Sequence, residues 1–540
     1  MGNTASIVLA LMCVLGPARV QAATYYVATN GNDTHAGTLA APFKTVAKAV
    51  NTMVAGDTTY VKDGTYNEGP ISFRKSGTST QPIKLLAYPG HAPKIHFIKG
   101  LLQGLQLAEN SDRIAIFNPT STKLPIGWIT IEGFELENGR EGIKIYTGHD
   151  ITIRRNYIHN NGHGVLGSGT RILFDRNRFI HNGQFDYCAQ GAVSACNGDH
   201  GIYFNGSDIT LTNNIFSDNL TSGVQVNGTV SYDPAIHAGP EYVEVNHWAI
   251  SNNTFAYSGH SSGLILWSLI RNVRVENNIF YENRQQNSSG QAISFAAGFV
   301  TRGSSGNQIR NNLAYATAPG GTAFFANSGG AVEGVEYTQS GNMINISHPA
   351  FVHAPATVPA SPDFRLTAQS PAINKGLNLY ASGVRTDLLG VARPQTGPFE
   401  LGAYEYGGTT PPPPSFDFAL ANGGNKTVTR GGSVANSLTA SLISGTAQAV
   451  SFSISGLPSG VTGGFSPGSC TPHCSSTLTL SASASAATGT ATVTVTASGA
   501  GISRTSAFTL TTTAGNGTDL NGDGITNVAD VQIAVNQASG

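Results

Sequence analysis

A short apolar strand pattern with an asparagine near its end recurs along the chain, and it limits the possible folds more than any other feature. The pattern reads ITIRRNYI at 151–158, ILFDRNRF at 172–179, DITLTNNIFSDN at 208–219, WAISNNTF at 248–255 and VRVENNIF at 273–280. The asparagines are Asn156, Asn177, Asn214, Asn253, Asn278 and Asn312, separated by 21, 37, 39, 25 and 34 residues. A unit of about 21–25 residues that is lengthened by loop insertions is typical of a solenoid.

A second strand motif follows each first one. These motifs are EGIKIY at 141, HGVLGS at 163, HGIYFN at 200, SGVQVN at 222, SGLILW at 262, QAISFA at 291 and TAFFAN at 322. Each unit thus has two or three short strands and cannot bury its inward face alone, whereas stacked coils can. Parallel stacking puts like residues above like, so asparagines at a corner can hydrogen-bond to one another and to the turn backbone. We therefore predict an asparagine ladder, and we favour it over a β-sandwich whose strands are similar by chance.

Composition agrees with an extended all-β protein. Charged residues make up 11% of the 540 residues, against about a quarter in an average globular protein. The 65 glycines supply turns. The formal net charge is −1 and no basic tract stands out, so the sequence gives little support for nucleic-acid binding.

The first 22 residues predict a secretory signal peptide. IVLALMCVLG is an apolar stretch of suitable length, and VQA before Ala23 is a small-residue cleavage site. The segment before it, MGNTAS, has no Lys or Arg and also fits an N-myristoylation pattern, which we take as a chance match. We expect a protein exported from a bacterium, with no later membrane span.

Two further stretches carry a family resemblance. Residues 25–68 begin YYVATNGNDTHAGTLAAPFKTVAKAVNTMV, and residues 363–406 contain DFRLTAQSPAINKG and LGAYEY. Together with the repeat, they make residues 24–406 resemble the right-handed parallel β-helix proteins, the pectin lyase-like superfamily of many polysaccharide lyases. The resemblance implies an all-β solenoid domain over 23–406, with the amphipathic FKTVAKAVNTMV segment as a helix that caps its open end.

The composition changes after residue 406. GGTTPPPPS at 407–415 is a proline-rich linker. Residues 416–513 are rich in Ser, Thr, Val and Gly in alternating runs such as TATVTVTAS, and about seven short strands in this length predict an immunoglobulin-like β-sandwich. We expect a spacer or binding module without catalytic residues.

The last segment, 514–540, contains a candidate calcium loop with the sequence DLNGDGITNVAD at 519–530. The expected ligands are Asp519, Asn521, Asp523, the backbone carbonyl of Ile525, and Asp530 at position 12. With VADVQIAVNQ it resembles one repeat of a type I dockerin, which normally has two repeats. The resemblance implies calcium as cofactor and a cohesin as a possible partner, although the single repeat leaves that partner open.

Four cysteines follow the signal segment, and they form two local pairs. Cys188 and Cys196 are eight residues apart, and Cys470 and Cys474 are four apart. An even count in an exported protein predicts two disulfides.

The second strand motif predicts a polar groove. If Ile143, Val165, Ile202 and Val224 point inward, alternation sends Lys144, Leu166, Tyr203 and Gln225 outward. The next outward row is Tyr146, Ser168, Asn205, Asn227 and Trp267, and Glu141, His163 and His200 stack at the strand entrance. Two insertions, at 184–199 and 229–244, flank this zone, and the first holds Asp186 and Tyr187. Aromatic rings and hydrogen-bonding groups beside a groove favour carbohydrate binding.

Three functions remain open for this groove. A lyase needs a base for the C5 proton of a uronic acid, for which Lys144, His200 or Tyr203 is a candidate, and a cation for the carboxylate, from Arg140, Arg154, Arg155 or calcium. A glycoside hydrolase needs two carboxylates, which Asp186, Asp199, Asp233 and Glu241 could supply. A non-catalytic adhesin needs neither.

We favour a lyase acting by β-elimination on acidic polysaccharide, in a monomeric protein. The predicted catalytic residues are His200, Tyr203, Asp199 and Lys144. The predicted substrate-binding residues are Tyr146, His163, Asn205, Gln225, Asn227, Trp267, Asp186 and Tyr187. The segment NGDHGIY at 197–203 lies where related pectate lyases carry an aspartate-rich calcium stretch, and only Asp199 of that pattern is present. Calcium in the groove is therefore an open expectation.

Overall fold

A computed structural model describes most of the chain between residues 22 and 539. The described ranges are 22–98, 105–107, 126–183, 199–228, 245–283, 292–296, 303–317, 324–345, 347–395, 397–407, 417–444, 448–472, 474–500, 502–515, 520 and 527–539. The predicted signal peptide, the Cys188–Cys196 pair, Asp186, Tyr187 and four of the predicted calcium ligands lie outside them.

The first twenty-seven strands and one helix build the repeating part of the chain. They are β1 (Thr24–Val27), α1 (Val46–Thr52), β2 (Thr58–Val61), β3 (Thr65–Glu68), β4 (Ile71–Phe73), β5 (Ile83–Ala87), β6 (Lys94–Phe97), β7 (Leu105–Leu107), β8 (Ile126–Glu132), β9 (Glu135–Glu137), β10 (Glu141–Arg154), β11 (Tyr157–His159), β12 (His163–Asp175), β13 (Arg178–Ile180), β14 (Ile202–Thr212), β15 (Ile215–Ser217), β16 (Val224–Asn227), β17 (Ala249–Ser251), β18 (Thr254–Ala256), β19 (Leu264–Trp267), β20 (Arg274–Glu276), β21 (Ile279–Tyr281), β22 (Ile293–Phe295), β23 (Asn307–Arg310), β24 (Leu313–Tyr315), β25 (Phe325–Asn327), β26 (Tyr337–Ser340) and β27 (Met343–Ile344).

These strands form a parallel β-helix with three faces. The long strand β10 pairs through residues 143–145 with β7 and through 148–154 with β8, so it runs along two faces with a register shift between Ile145 and Gly148. The ten short strands from β3 to β27 form the third face as a separate parallel sheet. We call the faces first (143–145), second (148–154) and third (β11). The predicted solenoid is confirmed.

The predicted asparagine ladder is present between the second and third faces. Asn177 Oδ1 accepts hydrogen bonds from the backbone N–H and the side-chain amide of Asn156, at 3.0 and 3.1 Å. Asn177 Nδ2 donates to the Ile153 carbonyl at 2.8 Å. The same pattern continues through Asn214, Asn253, Asn278 and Asn312, and reaches Asn342. The ladder satisfies buried backbone groups at a corner that no strand pairing can reach.

A second ladder, which we did not predict, lies between the third and first faces. Asn161 donates to Asn182 Oδ1, and Asn182 donates to Asn219 Oδ1. In the next coil Ser258 takes the ladder position, and its backbone N–H donates to Asn283 Oδ1. Because a serine interrupts it, the repeat is weaker in sequence than the first one.

The interior is a stack of like side chains. Phe179, Phe216, Phe255 and Phe280 stack with centroids 4.9, 4.8 and 4.9 Å apart and almost parallel rings. Helix α1 covers the first coils with Val46, Ala49 and Val50, in agreement with the expected cap. Its first backbone N–H groups, of Val46 and Ala47, donate to the Glu68 carboxylate.

The segment after β27 packs over part of the third face. It contains the antiparallel pair β28 (Phe351–His353) and β29 (Asp363–Leu366) and a 3₁₀ turn at Tyr380–Ser382. The Tyr257 and Tyr281 hydroxyls donate to the Pro355 and Ala354 carbonyls at 2.6 and 2.7 Å. This contact covers the apolar outer residues of β15, β18 and β21.

The remaining strands form two packed sheets, as expected for a β-sandwich. They are β30 (Asp417–Asn422), β31 (Lys426–Thr429), β32 (Ser433–Ser444), β33 (Val450–Ser455), β34 (Val461–Ser466), β35 (Ser469–Cys470), β36 (Cys474–Ala482), β37 (Gly489–Gly499) and β38 (Ile502–Thr513). One sheet has four strands and the other five, around a separate apolar core. The predicted Cys470–Cys474 disulfide is present.

A last helix, α2 (Val528–Ala538), begins with a capping box. The Asn527 side chain accepts from the Ala529 N–H, and the Asp530 carboxylate accepts from the Asn527 and Leu520 N–H groups. Asp530 is 1% exposed, whereas Val528 is 81% exposed. Within the described part of the chain, no helix combines the length and the apolar character needed to cross a membrane.

Candidate functional site

The predicted outward row lies on the first face in the expected register. Lys144 pairs with Leu166, Leu166 with Tyr203, and Tyr203 with Gln225. Since coils are about 4.8 Å apart, Lys144 and Tyr203 are separated by about 10 Å at the backbone. The four inward residues of the same strands, Ile143, Val165, Ile202 and Val224, are fully buried, as predicted.

The row is far less exposed than strand alternation suggested. Lys144 is 1% exposed and Gln225 is 8% exposed, so Lys144 is not a solvated strand residue. His200 is 2% exposed, so it is packed inside the protein and not open to solvent. The reason is that side chains on successive coils cover one another at the strand spacing. The insertions predicted at 184–199 and 229–244 lie almost entirely outside the described residues.

Glycines allow the entrance residues to stack closely. A Cβ at Gly164 would lie 2.4 Å from the Gly201 carbonyl oxygen, and one at Gly201 would lie 2.5 Å from the Gly223 oxygen. Each of these glycines follows an entrance residue, so His163 and His200 approach within 5.9 Å, ring centre to ring centre, at 22°. Glycine after the entrance residue is thus a packing requirement of the coil.

His163 is fixed in one neutral tautomer. Its Nδ1 accepts a hydrogen bond from the His200 backbone N–H at 3.3 Å. A nitrogen that accepts carries no proton, so the proton is on Nε2, which lies 3.1 Å from Asp199 Oδ1 and donates to it. Asp199 therefore orients His163.

His200 is also neutral. Burial lowers its pKa well below the ordinary value. Its Nδ1 lies 2.6 Å from Ser222 Oγ. The Tyr203 ring lies 5.9 Å from His163 and 5.5 Å from His200, and burial raises the pKa of the Tyr203 hydroxyl. A weakly basic imidazole and a phenol that keeps its proton are poor bases near neutral pH.

Lys144 differs from His200 and Tyr203, because burial makes its amine easier to deprotonate. Burial lowers the pKa of its amine to about 8, although the Glu141 carboxylate favours the ammonium form. Burial raises the pKa of Glu141 against the attraction of Lys144 and Arg140. The Arg140 Nε lies 3.4 Å from Glu141 Oε1. A lysine that exchanges its proton near pH 8 is suited to general-base work.

Three buried oxygens at this face accept no hydrogen bond from the described residues: Glu141 Oε2, Asp199 Oδ2 and Asn205 Oδ1. Calcium requires about 6–8 oxygen ligands, and the described residues here offer two carboxylates that already contact Arg140 and His163. Calcium in this region stays a prediction, because the insertions beside the row lie outside the described residues.

The other predicted residues are placed as follows. Asn205 pairs with Ser168, and Asn227 pairs with Trp267, one row beyond Lys144. Arg154 and Arg155 bind Glu132 at the edge of the second face, away from the groove. The side chain of Tyr146 lies outside the described parts. Trp248 is buried, and its Nε1 donates to the Gly206 carbonyl at 2.6 Å.

Ser222 was missed from the sequence, and Glu141 was placed at the strand entrance without a role. Ser222 binds His200, and Glu141 is the charge partner of Lys144. Both residues lie at the first position of the second strand motif, one coil away from His163 or His200. This position in the repeat is therefore the sequence feature that identifies them.

Comparisons with known proteins agree with this fold. Residues 25–190 match the family model described as "Pel9A-like, right handed beta helix region", and residues 197–358 match "Right handed beta helix region". A stretch of 74 residues is 42% identical to pectate lyase PEL9 of Emericella nidulans, covering 14% of this chain and 18% of that protein. A stretch of 63 residues is 40% identical to the uncharacterized protein YwoF of Bacillus subtilis, covering 12% and 13%. The matches span less than a fifth of the length of these relatives.

Solved structures of three lyases are also similar. Pectate lyase Pel9A is 18% identical, with 71% of this chain and 96% of that one covered and a TM-score of 0.38. A rhamnogalacturonan lyase is 13% identical, covering 64% and 96%, with a TM-score of 0.34. An alginate lyase from Paenibacillus sp. str. FPU-7 is 14% identical, covering 59% and 95%, with a TM-score of 0.31. The two family models together show right-handed β-helix regions over residues 25–190 and 197–358, and the first of these is described as Pel9A-like.

Proposed function

We propose that this protein is a secreted lyase that cleaves uronic-acid-containing polysaccharide by β-elimination. The observation that carries the proposal is Lys144, a lysine on the outer row of the first face whose pKa is lowered to about 8 by burial. The polysaccharide lyases among the similar proteins support the same reaction class.

In β-elimination a base removes the proton on C5 of the uronic acid. The C4–O bond then breaks, a C4=C5 double bond forms, and the leaving oxygen takes up a proton. We assign the base to the neutral amine of Lys144, because it is the strongest base of the described groove that is free of its proton near pH 8. Since Lys144 is 1% exposed, the substrate has to displace the groups that cover it.

Two other groups complete the proposed reaction. Arg140 is a permanent cation beside Glu141 and can neutralise the substrate carboxylate, which acidifies the C5 proton. Tyr203 keeps its proton because burial raises its pKa, so it can donate a proton to the leaving oxygen. His163 and His200 then serve as hydrogen-bonding and positioning groups rather than as bases.

A glycoside hydrolase is the second candidate function. Its support is that Glu141 and Asp199 are two buried carboxylates at one strand entrance, and that burial raises the pKa of Glu141 as an acid catalyst requires. The involvement of Asp199 with His163 makes it a poorer partner. The other carboxylates that we considered, Asp186, Asp233 and Glu241, lie outside the described residues.

The test is a screen of pectate, alginate, chondroitin and neutral glycans with wild type, Lys144→Gln and Glu141→Gln. Ultraviolet absorbance from an unsaturated product that disappears in Lys144→Gln supports the proposal. New reducing ends without that absorbance mean a hydrolase. Retention on a glycan column without any product means a non-catalytic adhesin.

We further propose export, and calcium binding in the last segment. Residues 1–22 support export by their signal-peptide pattern. For the loop at 519–530, the support is the ligand spacing and the buried position of Asp530 at the start of α2. The exposed valines of that helix, Val528, Val531 and Val535, are compatible with a cohesin-type partner.

A further inference from the structure

A cluster of ionisable side chains lies on the third face, away from the groove. Glu135 and Glu137 point outward from β9, and His159 points outward from the next strand, β11, where it pairs in register with Glu137. The inward residues between them, Leu136 and Ile158, are fully buried in the core. The rigid coil therefore sets the spacing of the three outward groups.

The ligand atoms of these residues converge. His159 Nε2 lies 3.0 Å from Glu135 Oε1 and 3.5 Å from Glu137 Oε2. Two ligand atoms bound at about 2.0–2.1 Å to a tetrahedral ion are about 3.3 Å apart, so both distances are close to those of a metal site. His159 is only 8% exposed, and its ring stacks on Tyr157 at 4.0 Å, which holds the nitrogen in this direction.

A cation already lies against the same oxygens. Lys94 Nζ is 2.7 Å from Glu135 Oε1 and 3.4 Å from Glu137 Oε2. This observation is independent of the ligand spacing, and it shows that the Glu135 and Glu137 carboxylates together bind a positively charged group. One ammonium balances one of the two negative charges, whereas a divalent ion would balance both.

His96 is close but is not a ligand. Asn138 Nδ2 donates to the Phe97 carbonyl at 2.7 Å, which fixes the amide orientation, and it lies 3.2 Å from His96 Nε2. That nitrogen must therefore accept, so His96 Nδ1 carries the proton and donates to Glu137 Oε1 at 2.9 Å. His96 orients Glu137 and leaves its other oxygen, Oε2, toward His159, as an outer partner does in metal sites.

We propose that Glu135, Glu137 and His159 bind a divalent first-row transition ion, for which Zn²⁺ is the representative. One imidazole with two carboxylates suits such ions, whereas Ca²⁺ and Mg²⁺ prefer oxygen ligands only. Binding displaces the Lys94 ammonium and the proton on His159 Nε2. The ion joins β9 to β11 and leaves a position for water, and it is separate from the proposed calcium loop.

The test is titration of the full chain with Zn²⁺ after chelation, with excess Ca²⁺ present throughout to fill the C-terminal loop. We expect one equivalent to bind, and Co²⁺ to give the visible spectrum of a low-coordinate site. Since even outer partners are worth about 10–100-fold in metal affinity, Glu137→Gln and His159→Gln should each weaken binding by at least about tenfold. Thermal melts in chelator verify that both variants fold.

Two further variants make the test specific. Lys94→Gln removes the competing cation and should tighten Zn²⁺ binding, which a mere ion-pair network would not do. His181→Gln removes a surface histidine paired with Asp218 at 2.6 Å, and it should change nothing. Equal affinity in wild type, Glu137→Gln and His159→Gln, or weaker binding in Lys94→Gln, would overturn the proposal.

Discussion

The pH dependence of the proposed lyase follows from the burial of Lys144. An ordinary lysine with a pKa of 10.5 has about 0.03% free amine at pH 7, whereas a pKa of about 8 leaves about 10%. Burial thus raises the fraction of Lys144 that is deprotonated at pH 7 by about 300-fold. Because the reaction needs the deprotonated form, kcat/KM should rise about tenfold from pH 7 to pH 9 and level off above the pKa.

The assay is initial-rate measurement of unsaturated product on the best polysaccharide, between pH 6 and pH 10. Lys144→Gln should lower kcat by at least about 10²–10⁴-fold, the usual contribution of a general base. Glu141→Gln removes the charge that favours the ammonium form, so the midpoint of its profile should move to lower pH. Lys84→Gln, at an exposed lysine on β5, is the matched control and should keep the wild-type profile.

Two results would refute this reasoning. A flat profile between pH 7 and pH 9 in wild type would mean that no group with the expected pKa governs the reaction. A Lys144→Gln variant that keeps its activity within a few-fold would show that another residue is the base.

The scaffold, the entrance histidine and the calcium loop give three further predictions. Asn214→Ala removes hydrogen bonds between three coils and should lower the free energy of unfolding by about 1–3 kcal/mol, measured by denaturant titration. His200→Ala should lower both activity and melting temperature, because His200 is buried, whereas Tyr203→Phe should lower kcat with little change in melting temperature. Asp523→Ala in the full chain should weaken calcium binding by calorimetry without changing lyase activity, and equal heats from both proteins would contradict the loop assignment.

The fold could be predicted because equivalent residues of the sequence repeat stack on one another in successive coils. Asn156 and its equivalents stand at one fixed point of each coil, so the hydrogen-bond ladder and the coil register follow from spacing alone. The second ladder was missed because Ser258 interrupts the run of asparagines at this position. A serine can occupy that position since its own hydroxyl donates to the Ser261 carbonyl.

The candidate site could be predicted in position but not in chemistry. Alternation placed Lys144, Tyr203 and Gln225 in one row, and the register agrees. The alternation of inward and outward residues along a strand does not predict whether an outward side chain is buried. Its burial depends on side chains from neighbouring coils and loops. The pKa of Lys144 depends on that cover, so its suitability as a base became visible only in three dimensions.

The groove and the third-face cluster depend on the same geometric rule. In a parallel β-helix, outward positions that are equivalent on successive coils lie about 4.8 Å apart whatever the sequence separation. Ionisable residues at such positions must therefore interact, as His159 does with Glu137. Ion pairs also lie on other coils, such as Arg310 with Glu276, so alignment alone does not identify a site. Each of the two clusters therefore needs its own functional test.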